Sequence, residues 1–103
     1  MAISKVNWQN HAFEVHDHGA NWADVAGIYI FAGINHLKQW IPLYIGKAES
    51  FQNRLPSHER WGEARKLGAT HVHAMPLPKE TDRSAVEELL IKLFQPRLNT
   101  QLK

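Results

Sequence analysis

Hydrophobic residues in this chain gather into short runs of two kinds. Gly27-Ile28-Tyr29-Ile30-Phe31 is β-branched or aromatic between small residues and predicts a strand. Ile41-Pro42-Leu43-Tyr44-Ile45 predicts a second strand. Pro42 has no N–H to give to a ladder, so it belongs near that strand's start or on an edge. Residues 33–40 break the pattern with Gly, Asn and His and predict a turn, which makes the two strands an antiparallel hairpin. Residues 70–75 alternate as a third strand, ended by Pro76 and Pro78. Phe13 and Val15 also alternate with polar neighbours, the pattern of a short strand.

Helical spacing appears elsewhere. Ser50 is a natural N-cap for a short helix over residues 50–55, which Pro56 interrupts. Residues 57–67 predict a helix stopped by Gly68. Thr81 or Asp82 opens a last helix to about Phe94, with Val86, Leu89, Leu90 and Leu93 on one stripe and Pro96 beyond it. Asn21 predicts the cap of a single turn over 22–25. The order is β-β-α-β-α: an α+β fold, with a small three-stranded antiparallel sheet flanked by helices. The 103 residues make one domain, 1–103, and the His-rich stretch 1–24 is an extension packed on it or partly flexible.

Composition narrows the class without choosing a function. There is no cysteine, which excludes disulfides and thiolate metal sites and fits a cytoplasmic protein. No apolar run is long enough to span a bilayer, and residues 1–10 lack a signal-type apolar stretch. The net charge of +2 permits a nucleic-acid partner but does not require one. Lys5, Lys38, Lys47, Arg60, Arg65 and Lys66 are candidates for a phosphate-facing patch, with a solvated surface as the default reading. His71 and His73 share strand spacing but lack a third ligand at firm spacing, and His11, His16, Asp17 and His18 invite no more than a surface role. Trp61 reads as core.

The candidate chemistry comes from polar residues on different elements. Tyr29 and Tyr44 lie on the paired strands; Arg54 and His58 are four apart, one helical turn if Pro56 allows it. Glu87 sits beside the apolar stripe of the last helix, and Asn99 follows Pro96. Such a set suits phosphodiester hydrolysis. A carboxylate holds a hard divalent cation, arginine grips phosphate with a planar fork, and a phenol or imidazole takes the proton of water.

Gly27-Ile28-Tyr29 followed by Tyr44-Ile45-Gly46 resembles the paired signature of the GIY-YIG nuclease superfamily. Arg54, His58, the Glu87-Glu88-Leu89-Leu90-Ile91-Lys92 segment and Pro96-Arg97-Leu98-Asn99 continue the resemblance over residues 27–99. The resemblance implies a metal-dependent endonuclease acting on DNA. Tyr29 would be the general base or would orient the water, with His58 as helper or rival base. Tyr44 would contact the phosphate or the nucleophile, and Arg54 would bind the phosphate. Glu87 would be the sole protein ligand of one Mg²⁺ or Mn²⁺, preferred over Glu88 by its spacing to Leu90-Ile91, and Asn99 would brace the site. Lys47, with Gly46 on the substrate side, resembles a lysine that favours the tyrosinate or binds phosphate.

Two departures stand out: a longer stretch between the tyrosines, carrying His36, Lys38 and Trp40 toward substrate, and Pro56 between Arg54 and His58. Specificity would come from this surface, a homodimer or a protein partner. The other readings are an RNA nuclease, a nuclease subunit of a repair or recombination assembly, and a nucleic-acid-binding module without activity. The intact polar set argues against the last.

Overall fold

A computed structural model describes residues 4–100. In chain order the elements are β1 (Lys5–Trp8), β2 (His11–His16), β3 (Gly27–Ile34), β4 (Trp40–Ala48), α1 (Phe51–Arg54), α2 (Trp61–Lys66), β5 (Ala69–Pro76), α3 (Glu80–Phe94) and α4 (Arg97–Thr100). The α+β class stands, but the sheet has five strands rather than three, in the order β1-β2-β5-β3-β4, and every pairing is antiparallel.

The two additional strands come from the stretch read as an extension. Gln9 and Asn10 both take positive φ, 49° and 65°, and turn β1 into β2 with Trp8 facing His11. A turn of this kind usually carries glycine, so its sequence signal was weak. Trp8 and Phe13 are buried, which makes the hairpin part of the core. Residues 22–25 form no helical turn. Their carbonyls are spent elsewhere: Phe51 N–H donates to Val25 O at 2.9 Å and Gln52 N–H to Ala23 O at 3.1 Å, supplying the free amides at the start of α1.

The sheet buries both faces. Tyr29, Phe31, Leu43, Ala48, Val72 and Ala74 meet Phe51, Leu55, Ala64 and Leu98 on one side. Ile28, Ile30, Ile45, Trp8 and Phe13 meet Leu90 on the other. A central strand covered on both faces needs apolar residues at nearly every position, which is why β3 reads as a continuous run. Gly27 is required by crowding: a Cβ there would stand 2.2 Å from Met75 O and 2.5 Å from the Phe51 ring.

Three further expectations change. The hairpin strands continue through Ile34 and Trp40, so the connection is a tight turn over residues 35–39 rather than an enlarged loop. The Asn35 side chain accepts from Leu37 N–H and Gln39 N–H. That turn caps the far end of β3 from Tyr29, and Trp40 packs edge-on against His73 instead of reaching toward substrate. The helix expected over 57–67 survives only over Trp61–Lys66, because residues 55–60 turn to send His58 inward. The buried stripe of α3 runs through Arg83, Val86, Leu90, Ile91 and Phe94, and Leu89 and Leu93 face solvent. Ser50 does cap α1, accepting from Asn53 N–H at 3.2 Å, and Gly68 ends α2 with φ +111°.

Candidate active site

Tyr29 and Tyr44 project from neighbouring strands onto the α1 side of the sheet, with ring centroids 6.2 Å apart. Tyr29 is almost wholly buried and Tyr44 half-buried. The Tyr29 ring lies across the backbone of its strand partner Gly46, where any Cβ would stand 2.4 Å from the phenol oxygen. Gly46 is therefore clearance for Tyr29. Gly46→Ala is expected to displace that hydroxyl and slow the nuclease activity that the family resemblance implies about 100-fold, the scale set by a misplacement of about 1 Å. Single-turnover rates check this, and a rate within about threefold of wild type would show that the hydroxyl's position is unimportant.

His58 reaches Tyr29 by a route the sequence did not suggest. Pro56 ends the helical course, and His58 sits outside α1 with its ring buried. Arg60 N–H donates to His58 Nδ1 at 3.0 Å, so the neutral ring carries its proton on Nε2. Nε2 lies 2.6 Å from the Tyr29 oxygen and donates to it. Burial, with Arg54 adding, pushes the His58 pKa down to about 4. The imidazole is a fixed neutral donor with no lone pair left for water, which opposes its role as base.

Burial raises the Tyr29 phenol above its ordinary value, Tyr44 adds to this, and the Arg54 guanidinium opposes it. Burial raises Tyr44 too, again opposed by Arg54. Arg54 closes α1 and stands within electrostatic reach of both rings. Its fork is filled: Nη1 and Nη2 donate to the two Glu59 oxygens at 2.8 and 2.9 Å. Sequence reasoning missed Glu59, which has no motif spacing to mark it.

The other wall is α3 and α4. An open cleft of about 580 Å³ is lined by Lys47, Ser84, Glu87, Glu88, Ile91, Lys92, Gln95 and Asn99. Glu87 is half-buried and Glu88 exposed. Burial raises the Glu87 carboxyl, Lys47 opposes this, and the Lys47 backbone N–H hydrogen-bonds it. Glu87 in turn raises both tyrosines, so its charge is felt at the phenols. Asn99 braces the free edge of β4: its Oδ1 accepts from Ile45 N–H at 2.8 Å and its Nδ2 donates to Ile45 O at 2.9 Å. Lys47 is not beside Tyr29. It projects to the opposite face and donates to Glu80 at 3.0 Å and Ser84 at 2.7 Å, next to Glu87.

The donor set fits one hard cation. A half-buried carboxylate whose neighbouring lysine is already engaged by Glu80 is under-compensated, and magnesium keeps several waters and accepts a single carboxylate. Among the described residues no group of three His, Cys, Asp or Glu could hold a metal. His16 pairs with Glu14, His18 stacks on Trp61 at 4.4 Å, and His71 stands 3.7 Å from Asp17. His73 accepts from the Trp8 indole N–H at 2.9 Å in the core. Half-buried Trp61 packs on the core.

Two buried neutral histidines give the fold an acid sensitivity. His58 and His73 are each held at about 4 by burial, against 6.5 in an unperturbed chain. Between those values the unfolded chain binds protons that the folded chain refuses. Stability is thus fully present above about pH 6.5 and falls as pH drops toward 4. At about pH 5 the loss is roughly 2 kcal/mol per histidine. Urea midpoints at about pH 7.5 and pH 5 check this, and equal midpoints would contradict it.

No family model matches the chain. It is 33% identical over 84 residues to UvrABC system protein C of Chlamydia trachomatis, covering 75% of this chain. To the Chlamydia muridarum protein of the same name it is 30% identical over 90 residues, covering 81% of this chain. The chain spans 13–14% of the length of these curated relatives.

Among solved structures it is similar to the GIY-YIG N-terminal endonuclease domain of UvrC from Thermotoga maritima bound to magnesium as its catalytic divalent cation. The TM-score is 0.60 and the identity 26%, covering 75% of this chain and 85% of that one. The same domain with an asparagine changed to alanine, also bound to its catalytic divalent cation, gives TM-score 0.61 and 27% identity, covering 75% of this chain and 84% of that one.

Proposed function

Because this chain belongs to the GIY-YIG nuclease superfamily, we propose that it is a divalent-metal-dependent endonuclease that hydrolyses phosphodiester bonds in DNA. The observation that carries the reading is the Tyr29–His58 contact at 2.6 Å above Gly46, with Arg54 and Glu87 both felt at the phenol.

The chain's own residues divide the work. Arg54 binds a phosphate oxygen pair with its fork and offsets charge that grows on phosphorus. Tyr44, half-buried at the rim, contacts the phosphate. Tyr29 takes the proton of the attacking water as the new P–O bond forms and the old one breaks. The His58 Nε2–H and the Arg54 charge steady the phenolate. Glu87 would hold Mg²⁺ or Mn²⁺, which when bound supplies positive charge to the departing oxygen. Asn99 keeps β4 in place at the cleft.

The relatives' name places them in a UvrABC system. By analogy this chain works with a protein partner that supplies specificity. A cytoplasmic setting suits such a role. No helix among the described residues is long and apolar enough to cross a membrane.

Incubating the purified chain with labelled duplex, branched and single-stranded DNA and with RNA, in Mg²⁺ or Mn²⁺, tests the reading. Cleavage of at least one DNA form is expected. Cleavage of RNA alone would move the chain to the RNA-nuclease reading, and binding without cleavage to that of a non-catalytic module.

A further inference from the structure

We propose that Glu59 is a built-in stand-in for the substrate phosphate, filling the Arg54 fork in the free protein and leaving it when backbone phosphate docks. The inference rests on the reading of Arg54 as the phosphate-binding residue.

The geometry is that of the ligand it replaces. Two parallel N–H···O bonds of 2.8 and 2.9 Å join the guanidinium to both Glu59 oxygens. A phosphodiester offers a pair of oxygens to the same fork. The Nη1–Nη2 edge cannot hold both, so docking of a phosphate on that edge requires Glu59 to move.

It can move without breaking the hydrogen bonds that hold His58, although its Oε2 lies 3.8 Å from His58 Nδ1. The Glu59 side chain is 66% exposed and that of Arg54 39% exposed, and ion pairs this open are weak. Glu59 lies in the turn that places His58, but that turn is held by the backbone bond from Arg60 N–H to His58 Nδ1 and by burial of the His58 ring. Rotation of the Glu59 side chain alone clears the fork. The neighbouring pair, Arg60–Glu63 at 2.6 Å, is separate and does not compete for Arg54.

A tethered competitor has a thermodynamic signature. Removing it frees one cation for the backbone, so affinity rises. In the unaltered protein the displaced carboxylate remains beside the DNA and cancels one positive charge. The slope of log K against log salt should therefore be gentler than when Glu59 is neutral, by about 0.9 for one duplex phosphate contact.

The test measures binding of a fluorescent duplex DNA by the full chain in EDTA, by anisotropy, across a series of salt concentrations. Glu59→Gln is expected to bind about three- to tenfold tighter than wild type at low salt, with the steeper slope. Glu63→Gln removes an equal charge four residues further along the chain, on α2 and paired with Arg60 rather than Arg54, and should gain less than about twofold. In an Arg54→Ala background the gain from Glu59→Gln should shrink to the Glu63→Gln value. Equal gains from the two glutamines, an undiminished gain without Arg54, or weaker binding by Glu59→Gln would each overturn the proposal. The last would make Glu59 a brace that holds Arg54 ready. Absence of DNA binding by every variant would overturn the functional reading and this inference with it.

Discussion

Glu87→Gln is expected to lower single-turnover DNA cleavage about 1,000-fold, or roughly 4 kcal/mol of transition-state stabilisation. The amide keeps the size of the side chain and removes the charge proposed to hold a cation. Glu87 is half-buried, and burial already disfavours its ionised form. Neutralising it should leave folding stability unchanged or slightly raised, so that lost activity is not lost fold. Glu88 is the control. It lies one residue further along α3, lines the same cleft and is exposed. Glu88→Gln should stay within about threefold of wild type, as expected of a surface change. An active Glu87→Gln beside an inactive Glu88→Gln would shift the metal ligand by one residue.

Tyr29→Phe should also cost about 1,000-fold in the chemical step, within the usual span for a lost general base, while DNA affinity changes little. The substitution leaves the buried His58 Nε2–H without its partner, so a stability loss of about 1–3 kcal/mol is expected and is measured separately by urea unfolding. The pH dependence distinguishes the two candidate bases. Burial raises the Tyr29 phenol, so little phenolate exists near neutrality and the wild-type rate should climb steadily with alkalinity. His58 is held at about 4 and is already neutral, so no inflection near 6.5 is expected. His58→Ala should lower the rate while keeping the rising profile, because it removes a donor to the phenol. A plateau by about pH 7.5 with an active Tyr29→Phe would return the base role to His58.

Much of the candidate site was legible because its residues sit on elements with strong local signals. Tyr29 lies in an unbroken apolar strand, Glu87 beside a helical stripe, and Asn99 just past a proline stop. In the sequence the first two strands show only a short alternation at Phe13 and Val15. Their turn uses Gln9 and Asn10 rather than glycine, and nothing local says that β2 pairs with β5, which follows it by more than fifty residues.

His58 was placed on a helix by its spacing from Arg54. Its actual position depends on Pro56 and on a backbone N–H finding the imidazole, which is tertiary information. Lys47 shows the same limit. Strand alternation alone puts it on the face opposite Tyr29 and Gly46, but its partners Glu80 and Ser84 lie on a helix distant in sequence. Glu59 could not have been found at all without the Arg54 geometry.

Cleavage of nucleic-acid backbone by this chain is expected to require a divalent cation. A magnesium titration of single-turnover cleavage tests it most directly: wild-type chain stripped with EDTA, a labelled DNA substrate, and product measured as Mg²⁺ is restored. No product is expected in EDTA, and the yield should rise saturably with Mg²⁺, a rise that Glu87→Gln lacks. Product formed in EDTA at the magnesium rate, or none from any DNA at saturating Mg²⁺ or Mn²⁺, would contradict it.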